Sequence, residues 1–360
     1  MRLSHNFASA DASKNSVTLP VDIRDPGTHA DRDKTSRSLS FPYDKGRLTM
    51  RSRDAICAVG WAFALAVSAL LHAADDSAPD VAPQTFELRD GDRVILLGGT
   101  FIEREGQFGT IETALTAAFP DRQITFRNLG WSGDTVWAES RGVFDPPAVG
   151  YQRMIDLVKE LQPTVIVLAY GQNEAFAGDA GLEAFVKQYT KLCDDVAPTQ
   201  ARLVFVTPHL METPAPPLPD AAKWNPQLQM YSQAIQKLAA ERQARVVNLT
   251  EDLAGLADRT ENGVHLSPAG YAAVARVFVT AAGGSASVPQ VPGLQAKVVE
   301  KNTLFFHRWR PQNITYLFLF RKHEQGNNAV DIPMFDELTA TADAEIAALR
   351  KTLSSSSPQP

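Results

Sequence analysis

Through the middle of the chain, short apolar runs alternate with longer amphipathic stretches. Runs at 93–97, 123–129, 164–170, 202–207 and 245–249 are brief, rich in β-branched residues and nearly continuous. That is the pattern of strands buried on both faces of a parallel sheet. Between and after them lie stretches with helical periodicity near 111–119, 151–161, 182–196 and 228–242. The alternation predicts an α/β fold with three layers, a parallel sheet between two layers of helices. Ligands of such sheets bind outside the carboxyl ends of the strands, so the residues that follow each run are the ones to read for chemistry.

The flanks differ. Residues 1–49 are rich in Ser, Asp, Arg, Lys and Thr without apolar periodicity, which predicts a disordered stretch or an overextended start. Arg51 and Arg53 then precede an apolar run at 55–71, followed by Leu71-His72-Ala73-Ala74-Asp75. A basic flank, an apolar stretch and small residues at the end have the layout of an export leader over 50–74. The run is long for a cleaved core and short for a membrane span, so an uncleaved N-terminal anchor is the alternative, and the only membrane contact expected. Residues 75–84 read as a linker, 85–283 as the folded domain and 284–353 as a C-terminal extension. Within the extension a Gly, Ser and Pro stretch to Gly293 reads as a linker, and 302–328 is dense in aromatics, Arg, Asn and Gln. The extension is expected to pack back onto the main domain, with an amphipathic helix over 330–351 and a disordered tail at 354–360.

Composition narrows the class. The 360 residues are 44% hydrophobic and 21% charged, ordinary values for a globular chain. A net charge of −6, spread without a basic stripe, argues against nucleic acid as a partner. Only Cys57 and Cys193 occur, and Cys57 lies in the leader-like segment, so no intramolecular disulfide is expected. No Cys-x-x-Cys-His and no paired His or Cys spacing is present, and neither a cofactor nor a metal is assigned. No oligomeric state is assigned either.

The strand ends carry candidate chemistry. Gly98-Gly99-Thr100 follows the first run, Gly130-Trp131-Ser132-Gly133-Asp134 the second and Gly171-Gln172-Asn173-Glu174 the third. Asn262-Gly263-Val264-His265-Leu266-Ser267-Pro268 opens a last helix. Acyl transfer needs a hydroxyl nucleophile, an imidazole to take its proton, and donors aimed at the oxyanion. Thr100 supplies a hydroxyl, His265 an imidazole, and Asn173 with the Gly133 N–H the donors. Thr100 also begins Thr-Phe-Ile-Glu, in which its hydroxyl would instead cap a helix by bonding the Glu103 amide. Trp131 and Trp137 are candidates for stacking on a sugar or for core packing, and Glu174 is a candidate substrate contact. Glu103, Arg104, Arg127, Asp134 and Glu174 form either an ionic network under the site or solvated surface.

In order, spacing and context these motifs resemble the four blocks of the SGNH (GDSL-like) hydrolase family, over roughly residues 92–281. The resemblance implies a flavodoxin-like α/β/α sandwich. It places residues 98–101 where the family has Gly-Asp-Ser-Leu, makes Gly133 and Asn173 the oxyanion donors and makes His265 the final histidine. NLGWSGDTVW at 128–137, residues 170–181 and the aromatic, Arg-rich tail resemble a subgroup of planctomycete-type bacteria.

Two positions depart from the wider pattern: Thr100 stands for serine, and Asn262 for the aspartate three residues before the histidine. The threonine methyl restricts the rotamer and crowds attack. In a serine protease the Asp-to-Asn change costs about 10⁴ in turnover, roughly 5 kcal/mol of barrier. Asn262 is expected to accept a hydrogen bond from the imidazole, and Glu261 or Asp258 to be able to supply the missing carboxylate. The function implied is an exported ester hydrolase acting on acylated carbohydrate. A non-catalytic module that keeps the pocket and binds a glycan or a partner is the alternative.

Overall fold

A computed structural model of the chain describes residues 86–324 and 328–356. The leader-like segment, the stretch before it and the linker after it lie outside the described residues. Five parallel strands form the sheet: β1 (Arg93–Gly98), β2 (Thr125–Gly130), β3 (Val165–Ala169), β4 (Arg202–Val206) and β5 (Arg245–Val247), in the order β2-β1-β3-β4-β5. This is the flavodoxin-like order, whose topological switch point lies between β1 and β3. The fold class is therefore the one the alternation predicted.

Successive side chains of a strand point to opposite sides, and the central strands β1 and β3 are buried on both faces. Val94 and Leu96 of β1 pack with Val165, Val167, Val204 and Val206 on one face. Ile95 and Leu97 pack with Ile166, Leu168 and Phe205 on the other. The first face is covered by α1 (Thr100–Phe108), α2 (Thr110–Ala118) and, after the short α6 (Leu249–Asp252), by α7 (Pro268–Ala281). The second is covered by α3 (Pro147–Glu160), α4 (Gly178–Val196) and α5 (Asn225–Glu241). Full burial of one such aliphatic side chain stabilises by about 1.5–3 kcal/mol.

The C-terminal extension contains α8 (Leu294–Trp309), the short α9 (Ile314–Leu317) and α10 (Met334–Ser356). The sequence reading missed α8. Helix α10 runs into residues 354–356, which were expected to belong to a disordered tail. Among the described residues no helix is long and apolar enough to cross a membrane. Helix α8 lies against the β2 side of the domain, where the fully buried Lys301 ammonium donates to Glu112 Oε2 at 2.8 Å, the Phe126 carbonyl at 3.0 Å and Asn302 Oδ1 at 2.7 Å. Leu294 and Val298 of α8 close a small core with Ala117 and Ile346, and Arg127 meets Asp343 of α10 at 2.6 Å.

Candidate active site

At the carboxyl ends of the strands a cavity of about 50 Å³ is lined by Thr100, Arg104, Asn173, His209, His265 and Tyr271 among others. They come from several elements. Thr100 opens α1 directly after β1, and the helix sits tight on the sheet because Gly130 has no side chain: a Cβ there would lie 2.1 Å from the Glu103 nitrogen. Asn173 follows β3, His209 follows β4, and His265 lies in the turn before α7.

The Thr100 hydroxyl is not a helix cap. Gly99 is the N-cap residue, with no side-chain bond at that end, and Glu103 turns outward to accept the Ser132 N–H at 2.6 Å. Instead the Gly133 N–H donates to Thr100 Oγ1 at 2.9 Å. Gly133 has φ +72°, a conformation that glycine adopts without a Cβ clash. Accepting that bond leaves the hydroxyl hydrogen of Thr100 free to point elsewhere. Asn173 Nδ2 donates to the Asp134 carbonyl at 2.8 Å, which orients the amide and leaves its second N–H available.

The loop carrying Gly133 is anchored from below. Asp134 is buried and paired with the equally buried Arg141, Nε to Oδ2 at 2.6 Å, and Arg141 Nη2 also donates to the Leu129 carbonyl at 2.8 Å. Glu174 accepts the Val136 N–H and the Gly171 N–H, both at 2.8 Å, so one carboxyl ties the second strand-end loop to the third. Burial pushes that carboxyl up to about 7, against the pull of its backbone donors.

His265 is half-buried, and burial first, then the Arg104 charge, hold its imidazole below the usual histidine range, opposed by Glu261. It is therefore neutral at neutral pH. Its tautomer is fixed by Asn262. The Asn262 Oδ1 accepts the backbone N–H of His265 at 2.9 Å and of Val264 at 3.1 Å, which assigns the other terminus as the NH₂ group. That group faces His265 Nδ1 at 3.1 Å. An amide NH₂ only donates, so Nδ1 is the acceptor and the ring proton of the neutral imidazole sits on Nε2.

His209 has the opposite arrangement. It is 3% exposed, and its Nδ1 lies 3.1 Å from the Leu210 carbonyl, which also accepts from Arg259 Nη2 at 3.1 Å. A carbonyl only accepts, so His209 carries its proton on Nδ1 and presents a lone pair at Nε2. Burial lowers its basicity to about 4, with smaller contributions from Arg259 and His265 in the same direction.

Residues 98–273 match the family described as GDSL-like lipase/acylhydrolase. A search of the curated proteins finds no match. Among solved structures, the chain is similar to a catalytic mutant of Axe2, an acetylxylan esterase from Geobacillus stearothermophilus, at 17% identity over 57% of this chain and 100% of that one, TM-score 0.45. It is also similar to LAE5, an alpha/beta hydrolase enzyme from the metagenome of Lake Arreo, Spain, at 20% identity over 54% and 97%, TM-score 0.43. A third is the acetyl xylan esterase AlAXEase, at 20% identity over 52% and 98%, TM-score 0.42.

The matched residues bring Thr100, Asn173 and His265 to one cavity, with Gly133 bonded to Thr100. Three expectations need correction. Asn262 donates to the imidazole rather than accepting from it, because its oxygen is held by two backbone amides. Neither carboxylate rescues His265: Glu261 is paired with Arg104 at 2.8 Å, and Asp258 is exposed with no hydrogen bond to the ring. Trp131 lines a separate pocket beneath the extension, where the Arg310 guanidinium sits 3.7 Å from its ring centre, so it is no wall of the reaction cavity; Trp137 packs on the core. Glu174 lines the cavity, and each of its oxygens accepts one loop amide. The expected ionic groups resolve into separate pairs: Glu103 with Arg310 at 2.5 Å, Arg104 with Glu261, Arg127 with Asp343 and Asp134 with Arg141.

Two residues were missed. Arg141 carried no signal, since nothing in the sequence pairs it with Asp134. His209 did carry one: it stands just after a strand run, in the position that flagged the other candidates.

Proposed function

We propose that the chain is an exported ester hydrolase that removes short acyl groups from carbohydrate. Thr100 is the acyl acceptor, the Gly133 N–H and Asn173 amide stabilise the oxyanion, and His265 lines the same site as a neutral imidazole. The observation that carries this reading is the Gly133 N–H···Oγ1 bond to Thr100, which holds an oxyanion donor within 2.9 Å of the attacking atom. The cavity volume of about 50 Å³ supports acetyl-sized groups, since one water needs about 10–15 Å³ on the same measure. The carbohydrate assignment rests on family analogy and on the leader-like segment. Purified protein is assayed on aryl acetates, longer aryl esters and acetylated glycans, beside Thr100→Ala and His265→Ala. Acetate turnover that falls with Thr100→Ala supports the reading; turnover indifferent to both substitutions refutes it.

One observation favours the second reading, a pocket that binds without turnover. With its proton on Nε2, the His265 imidazole has no lone pair at Nε2 to receive the Thr100 proton.

A further inference from the structure

A second cavity, of about 190 Å³, lies between α2, the start of β2 and α10, at the opposite ends of the strands from the reaction cavity. Arg350 of α10 lines it and is 6% exposed. Its Nε and Nη1 are buried without a hydrogen-bond partner, and among the described residues it joins no ion pair. Thr116 of α2 lines the same cavity, is 4% exposed, and its Oγ1 is likewise buried without a partner. A guanidinium stays charged in proteins, and a buried charge left without a counter-charge is strongly destabilising. The two carboxylates in the lining are already matched, Glu112 by Lys301 at 2.8 Å and Asp343 by Arg127 at 2.6 Å. Arg350 is thus the unmatched charge of this cavity.

We infer that this cavity binds a small aliphatic monocarboxylate, with the Arg350 guanidinium as its anchor and the Thr116 hydroxyl as a second donor. It does so whether or not the chain hydrolyses esters. One negative charge matches one unpaired guanidinium, and the planar fork of arginine fits the two oxygens of a carboxylate. A dianionic phosphate fits less well, because Glu112 and Asp343 line the same cavity and like charges repel. Much of the lining is apolar: Ile124 and Ile346, with Ala340, Ala344 and Ala347 of α10. The three alanines follow one another at helical spacing, so one face of α10 leaves open the space that larger side chains would fill. Ala340 and Ala344 are exposed, which gives a ligand access from solvent. The volume has room for a hydrocarbon chain as well as its head, since one water needs about 10–15 Å³ on the same measure.

Isothermal titration calorimetry of the full chain at neutral pH, with acetate, butyrate, hexanoate, inorganic phosphate and chloride as probes, tests the site. Butyrate and hexanoate should bind more tightly than acetate, by roughly two- to fourfold for each added methylene. Arg350→Met, similar in length and uncharged, should weaken butyrate binding about tenfold or more. With the unpaired charge gone, the same variant should melt at a higher temperature than wild type in buffer free of these anions. Thr116→Val should weaken butyrate by about threefold, for loss of one hydrogen bond; no change there would overturn the second contact. If Arg350→Met does not fold, Arg350→Lys keeps the charge, loses the fork and should weaken butyrate by about fivefold or more. Butyrate binding that survives the Arg350 substitution unchanged lies elsewhere, in the reaction cavity among other places, and overturns the inference. Equal responses to butyrate and chloride, or phosphate binding more tightly than butyrate, overturns it as well.

Discussion

Asn262 Nδ2 donates to His265 Nδ1 across 3.1 Å, and the same amide's oxygen is locked onto the backbone of residues 264 and 265. Hydrogen-bond polarity thus sets the role of the imidazole. Asn262→Asp keeps the backbone bonds and replaces the donor with a carboxylate oxygen, which requires Nδ1–H and turns Nε2 into an acceptor. Turnover on aryl acetates should rise at least tenfold, within the ceiling of about 10⁴ set by the reverse change in a serine protease. Nitrogen-15 shifts of the His265 ring should show the proton move from Nε2 to Nδ1. Unchanged shifts would mean the tautomer is set elsewhere.

The extension meets the loop that carries Gly133 through an ion pair and through ring contacts of Trp309 and Arg310. Arg310 meets Glu103 at 2.5 Å and covers Trp131, while Glu103 holds the Ser132 amide next to Gly133. Arg310→Ala should loosen this loop and lower kcat about tenfold with little change in KM, because small misplacements of reacting groups are costly. A loss confined to stability, with kcat intact, would separate the extension from the chemistry.

Asp134 and Arg141 are both buried, and the pair spans the loop and the turn after it. Arg141→Met strands a buried carboxylate, and breaking such pairs costs about 3–5 kcal/mol. Urea unfolding measures the cost; a change under about 1 kcal/mol would show that the loop relaxes to solvate Asp134.

Glu105 is fully buried. Its Oε1 accepts the Ile111 N–H at 2.6 Å while Oε2 has no partner, and burial pushes the carboxyl up to about 8, opposed by its backbone donors and by Lys301 and helped by Glu112. A carboxyl whose folded-state value is raised stabilises the fold most below its ordinary value of 4.5, and that contribution is lost as pH rises through about 8. Glu105→Gln removes the charge. The melting temperature of wild type relative to this variant should therefore fall between pH 5 and pH 9; a constant difference would mean that Glu105 stays in one protonation state.

How much of this was legible depended on what each residue answers to. The central strands were readable because both faces are buried, which forces continuous apolar runs such as 94–97, and the site residues because they follow those runs directly. Helix α8 was not: its apolar positions Leu294, Val298 and Phe305 are separated by charges, and Lys301, polar in sequence, is buried by its contact with Glu112. The direction of the Asn262 bond was equally hidden, since it depends on which end of an amide two backbone N–H groups select. Trp131 was misplaced because its neighbour Arg310 lies far along the chain.

The central claim is that Thr100 carries the acyl group. Rapid quenching of the protein during turnover of an activated acetate ester, followed by peptide mass spectrometry, tests it directly. The account predicts an acetyl group on the peptide containing Thr100 and none in Thr100→Ala, whose turnover is lost. Hydrolysis that proceeds with Thr100 unmodified, at a rate the alanine variant retains, would contradict it.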